Sequence, residues 1–191
     1  ANGKGKTYYP IPRDRDQAFY INQGTLPRIM KSRSLVPQLE GFKVRARSIE
    51  RFYFAARNLD RFFLNELTEA DWKQAAETFV GQMTDAVIDN ALAQQPAEIR
   101  GMPSAGRISK TLKERRKFLV AEVMAYYTFI SETVSVTGSD KKEIFNINYN
   151  SDGSMLVRVN KIGADGAEAV KMYERRFDPL KTKEVRLFGM D

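Results

Sequence analysis

The stretch LKERRKFLVAEVMAYYTFISETVSVTG, residues 112–138, holds the switch that decides the fold. Up to Ser131 the apolar residues recur at helical steps. Leu112, Leu119, Val123, Tyr126 and Ile130 form one stripe, which predicts a helix over roughly 105–131. From Glu132 onward the pattern alternates with period two, as in a strand with one buried face.

Downstream, KEIFNINYN, SMLVRVNKI, EAVKMYERRFD and KEVRLFG read as further short strands. The turns between them include Asn150-Ser151-Asp152-Gly153 and Gly163-Ala164-Asp165-Gly166. Asp-Gly between strand-like runs is a strong hairpin signal. Upstream, residues 49–67 predict a helix with Phe52, Ala55, Ala56, Leu59, Phe62 and Phe63 on its apolar side. Thr68 followed by Asp71 fits a capping box, so a second helix is expected from there to about Ala93. Its apolar face is Trp72, Ala76, Phe79, Met83, Val87 and Ala91. Pro96 and Gly101-Met102-Pro103 end it. The chain is therefore expected to be α+β: a helical bundle entered by a short N-terminal strand, followed by a small antiparallel sheet. The expected division is a helical region 1–131 and a β region 132–191.

The 191 residues include no His and no Cys. That excludes a Ser-His-Asp triad, a Cys-His pair, a zinc finger and a HExxH site. Any chemistry must come from carboxylates, Lys, Arg, Tyr, Ser or Thr, or from a partner. No apolar run reaches the ~18 residues of a membrane-spanning helix. The first residues lack the apolar core of a secretory signal. Both ends read as cut from something longer, so the rest of a longer polypeptide is an expected partner.

Lys and Arg number 31 and Asp and Glu 24, a formal charge of +7. The distribution is uneven. Residues 28–61 carry nine basic and three acidic side chains, 62–99 one and seven, and 100–119 seven and one. Solvated helix faces that pair across the bundle account for this pattern. A basic surface for nucleic acid is the sharper reading. It expects exposed aromatics among the cations, whereas Phe52, Phe54, Phe62 and Phe63 have core-like spacing, so no specific nucleic-acid partner is expected.

The most unusual string is YYPIPRDRDQAFYINQG, residues 8–24. In an extended chain Asp14 and Asp16 point to the same side. Two carboxylates so close repel, and a hard cation such as Mg²⁺ or Mn²⁺ relieves the repulsion through oxygen ligation. A surface strand of alternating Arg–Asp pairs is the plainer reading of the same residues. Arg47 and Arg51 are candidates to face a phosphate, with ion pairing as their plainer role. Asp60 and Asn65 have the spacing of a kinase catalytic Asp and Asn. They follow the Asp-x-Asp rather than precede it and sit in a helical pattern, so they read as helix surface or capping residues.

The string IPRDRDQAF resembles the metal-binding segment of the CotH-type atypical kinases. The order DRFFLNELTEADW, FVGQMTDAVIDNALAQQPAEI, LKERRKFLVAEVMAYY resembles the helical C-lobe of that family, over about residues 8–131. The whole chain, strands included, resembles the middle region of long Bacteroidetes surface proteins that carry a metallophosphoesterase before it and an outer-membrane β-barrel after it. The resemblance implies that Asp14 and Asp16 hold Mg²⁺ or Mn²⁺ and that Gln17 and Phe19 support the loop. It implies a periplasmic or outer-membrane-associated setting, and ATP as cofactor only in the full-length protein. Only thirteen residues precede Asp14, too few for the nucleotide-holding Lys, the Gly-rich loop and the catalytic Asp–Asn loop of a kinase. The expected function is that of a fragment of a CotH-like, kinase-related domain with a metal and phosphate site, inactive in isolation and with no catalytic residue of its own. The alternative is a non-catalytic structural or protein-binding module of a cell-surface protein.

Overall fold

A computed structural model of the chain describes residues 40–190 without interruption, together with Tyr9, Ile11, Val36 and residues 18–21 and 24–30. The expected N-terminal strand lies almost wholly outside the described residues. The described helices are α1 (Thr25–Met30), α2 (Ile49–Phe52), α3 (Arg57–Phe63), α4 (Glu69–Gln82), α5 (Asp85–Ala93), α6 (Ala97–Arg100), α7 (Pro103–Arg116) and α8 (Leu119–Ser131). Strands β1 (Thr133–Thr137), β2 (Glu143–Tyr149), β3 (Met155–Ile162), β4 (Glu168–Phe177) and β5 (Glu184–Phe188) follow. The class is α+β, as the period switch at Ser131 predicts. Among the described residues no helix is long and apolar enough to cross a membrane.

The described residues fall into two compact units. One joins 56–68 to 128–190; the other holds the described part of 11–55 together with 69–127. Helix α3 therefore belongs with the strands, although its sequence lies in the helical half.

Each long helical prediction is interrupted once. Residues 49–67 form α2 and α3, separated by a turn at 53–56. Three consecutive aromatics, Phe52 to Phe54, cannot share one face. Tyr53 turns instead to Tyr126, with ring centroids 5.3 Å apart. The unit boundary falls at the same place. Residues 69–93 break at Met83-Thr84 because Thr84 is extended and its hydroxyl accepts the Val87 N–H at 3.2 Å, starting α5 afresh. The helix expected over 105–131 starts earlier, with Pro103 in the first turn of α7, and breaks at Lys117-Phe118. Arg115 and Arg116, at the end of α7, donate to the carbonyls of Lys43 and Met83.

In the helical unit α5 packs on α7. Lys113 meets Asp89 at 2.7 Å and Arg116 meets Asp85 at 2.6 Å. The acidic block of the sequence thus pairs with the basic block that follows it. Exposed pairs of this kind contribute little stability each. Trp72 of α4 lies against Tyr126 and Tyr127 of α8, with ring centroids 6.3 and 5.7 Å away.

In the strand unit, β2, β3 and β4 form an antiparallel sheet in that order. Both hairpin turns use the predicted glycines. Gly153 and Gly166 stand at φ 80° and donate to the carbonyls of Asn150 and Gly163. The antiparallel sheet expected after residue 131 accounts for only three of the strands. β1 and β5 pair separately and parallel, with Val134 beside Val185 and Val136 beside Leu187. A parallel pair needs a long crossover, supplied here by the whole three-stranded sheet. The two sheets share one core of Val134, Val136, Val157, Val159, Tyr173 and Phe177, with Phe145, Met155, Met172, Val185 and Leu187 around it.

Candidate functional site

The helical unit carries a pocket of about 510 Å³, within the usual size range of small-molecule sites. Its wall is built from four separate segments. Ala18, Phe19 and Tyr20 come from the stretch that directly follows the Asp-x-Asp string. Residues 40–46 supply Glu40, Phe42, Lys43 and Arg45. Phe52, Tyr53, Leu112 and Arg115 complete it from α2, its C-cap and α7.

The first two segments are locked together. The Phe42 N–H donates to the Tyr20 carbonyl at 2.7 Å, and the rings of Phe19 and Phe42 meet edge to face at 5.1 Å. The second is tied to α7 by Arg115, whose guanidinium donates to the Lys43 carbonyl at 2.9 Å. A neutral carbonyl fixes that guanidinium without offsetting its charge.

The lining carries three cations, Lys43, Arg45 and Arg115, and one carboxylate, Glu40. Lys43 donates to Glu40 at 2.8 Å, and the Arg47 backbone N–H donates to the other oxygen at 3.0 Å. Burial of Glu40 works against its ionisation. The hydrogen bonds from Lys43 and Arg47 and the charges of both outweigh that, so its carboxyl titrates below the ordinary glutamate range. Arg45 lies over the Phe118 ring at 4.7 Å, and its Nε stands 3.7 Å from the Glu122 carboxylate. Glu122 is only 6% exposed. Neither of its oxygens has a hydrogen-bond partner among the described residues, so Arg45 meets it as a charge rather than a donor.

Of the residues singled out from sequence, Asp14, Asp16 and Gln17 lie outside the described residues. Phe19 lines the pocket. Arg47 binds Glu40 through its backbone and stands with its Nε 3.9 Å from the same carboxylate. Arg51 lies exposed on α2. Neither arginine is among the lining residues; Lys43, Arg45 and Arg115 occupy that position instead. The first two belong to the basic block 28–61, but Arg115 comes from a helix 72 residues beyond Lys43, a meeting that no local pattern announces. Among the described residues no group of three or more acidic side chains is placed to hold a metal ion.

Asp60 and Asn65 sit in the strand unit. Asp60 lies within α3, and its backbone carbonyl accepts the Leu64 N–H at 2.9 Å. The Asn65 side-chain amide donates to the Ser135 carbonyl of β1 at 2.6 Å, and the Asn65 backbone carbonyl accepts from Arg175 of β4. Asn65 is thus a structural tie between the end of α3 and the strands. A smaller recess of about 200 Å³ beside it is lined by Phe62, Glu66, Glu143 and Tyr173, among others. There Glu143 is engaged by the backbone N–H and hydroxyl of Ser139 at 2.8 and 2.6 Å. Burial pushes the Tyr173 phenol up to about 12, with the Glu66 charge adding and Arg175 opposing. The Tyr173 hydroxyl points a donor at the Asn65 backbone carbonyl, 3.5 Å away.

No family model matches this chain, and no curated protein or solved structure matches it either.

Proposed function

We propose that the helical unit is an anion-binding element, with the three cations of its pocket receiving phosphate, and that Asp14 and Asp16 supply ligands of a Mg²⁺ or Mn²⁺ ion. The observation that carries this reading is the composition of the pocket wall. Lys43, Arg45 and Arg115 line one concave surface against two carboxylates, Glu40 held by Lys43 at 2.8 Å and Glu122 3.7 Å from Arg45, and its Ala18–Tyr20 edge follows Asp16 by two positions in the chain. Phosphate recognition needs fixed donors and a positive field, and the arginine bonded to the Lys43 carbonyl offers a pre-oriented one. Arg47 keeps Glu40 ionised and engaged, which keeps that carboxylate from turning toward an incoming anion. In this reading the chain is part of a CotH-like, kinase-related domain of a periplasmic or outer-membrane-associated protein. ATP binds only when the rest of that protein supplies the nucleotide-holding lobe.

The test is a Mg²⁺ or Mn²⁺ titration, with and without ATP, followed by thermal unfolding of the wild type and of Asp14→Ala/Asp16→Ala. A ligand that binds only the folded state raises its stability. The expected result is a metal-dependent rise in Tm that the double variant lacks, and a smaller rise with inorganic phosphate that Lys43→Gln lacks. Flat traces throughout favour the alternative, a non-catalytic structural or protein-binding module. The isolated chain is expected not to transfer phosphate. Metal-dependent phosphotransfer by this chain alone, abolished by Asp14→Ala, overturns that statement.

A further inference from the structure

A second cavity of about 530 Å³ adjoins the first and shares Phe19, Leu112 and Arg115 with it. Its chemistry is the opposite. Apart from Gln95, Arg115 and Arg116 its lining is apolar, drawn from α4, α5, α7 and α8 together with Phe19 and Met83. Phe79, Met83, Val87 and Ala91 were expected from periodicity to be the covered face of one long helix. Instead Phe79 is 48% exposed and Val87 45%, and all four line this groove. Both arginines are engaged by other groups. Arg116 is committed to the Met83 carbonyl and to Asp85 at 2.6 Å, and Arg115 stands where the two chambers meet.

We infer that the two chambers form one site for a single-chain amphiphile, an alkyl or acyl tail ending in phosphate. The tail lies in the groove, and the phosphate sits among Lys43, Arg45 and Arg115. The inference rests on the anion-pocket reading above and names its ligand class. A cationic chamber alone fits any phosphate. An apolar chamber with so few hydrogen-bonding groups offers little to a sugar or a base, which would lose their water without replacement. It suits methylenes, whose transfer from water is favourable in proportion to the area removed. The charge step from groove to pocket across Arg115 matches the polarity step of such a molecule.

The experiment titrates the whole chain with inorganic phosphate, then with butyl, octyl and dodecyl phosphate below their micelle concentrations, and with dodecanol. Two variants at positions outside the buried core are added, Val87→Asp in the groove and Lys43→Gln in the pocket, with circular dichroism to check that each is folded. The expected result is affinity that climbs with chain length, by at most about fourfold per methylene. Val87→Asp should abolish the chain-length dependence and spare phosphate binding. Lys43→Gln should weaken every phosphate and leave dodecanol unchanged. Equal affinity for phosphate and dodecyl phosphate overturns the inference and leaves the anion pocket standing. Binding of none of them removes both readings. Binding only to vesicles doped with a phosphate lipid, and not to the monomers, assigns the surface to a membrane and also overturns the inference.

Discussion

Glu40 shows how one residue links the pocket to solution conditions. Its side chain is 8% exposed and held by Lys43 and by the Arg47 backbone. Its carboxyl is lowered below the ordinary glutamate value of about 4.3. A carboxyl depressed in the folded state contributes stability above its unfolded pKa and loses it as pH falls through the folded one. The wild type should therefore exceed Glu40→Gln in stability at neutral pH by about 1.5–3 kcal/mol, the usual worth of hydrogen bonds to a charged group. The difference should shrink once the pH drops below about 4.3. Urea unfolding of both proteins across pH 3 to 7 measures this. A constant difference over that range would mean that Glu40 acts through packing rather than charge.

At the scale of elements, the ends of helices explain more than their middles. The C-terminus of α8 leaves carbonyls without partners in the helix. Arg61 of α3 supplies two donors there, to Ile130 at 3.1 Å and Phe129 at 3.3 Å, while its guanidinium lies 5.4 Å from the Phe129 ring centroid. A cation at this end also opposes the negative pole of the helix. This contact and the Asn65 amide on Ser135 attach α3 to the strand unit. Arg61→Ala should cost about 1.5–3 kcal/mol, because it removes a charged donor from two part-buried carbonyls. Arg61→Lys should recover only part, since Lys lacks the planar fork. Chemical denaturation of the three proteins provides the comparison. Equal midpoints would show that water replaces the arginine at no cost.

For the whole molecule, the charge of +7 matters less than its arrangement. Cations of the basic block after residue 100 are drawn onto Asp85 and Asp89, and the block before residue 62 supplies Lys43 and Arg45 to a concave pocket. Phe54, Phe62 and Phe63, expected in a core, are instead 46%, 47% and 47% exposed in or next to that block of the sequence, so it is the pairing of the cations, not a lack of exposed aromatics, that speaks against a stacking surface for single strands. Binding to a short DNA duplex should be weak and nonspecific, and should disappear between about 50 and 200 mM salt. Fluorescence anisotropy across that range tests it. Tight binding that survives the higher salt would make nucleic acid the partner.

The α+β class, the position of the switch at Ser131, both Asp-Gly hairpins and the pairing of the acidic with the basic block were legible in the chain. Each depends on residues close in sequence or on a simple period, which local backbone chemistry obeys. The breaks at 53–56 and 117–118, the attachment of α3 to the strands and the parallel β1–β5 pair were not. They depend on which distant partner wins: Tyr126 for Tyr53, the α8 carbonyls for Arg61, Val185 for Val134. The candidate site divides in the same way. Phe19 and the basic block were visible as text. The cluster of Lys43, Arg45 and Arg115 beside an apolar groove exists only because folding carries α7 back to residues 40–46, and hydrophobic burial, which drives that return, has no preferred direction and leaves no local mark.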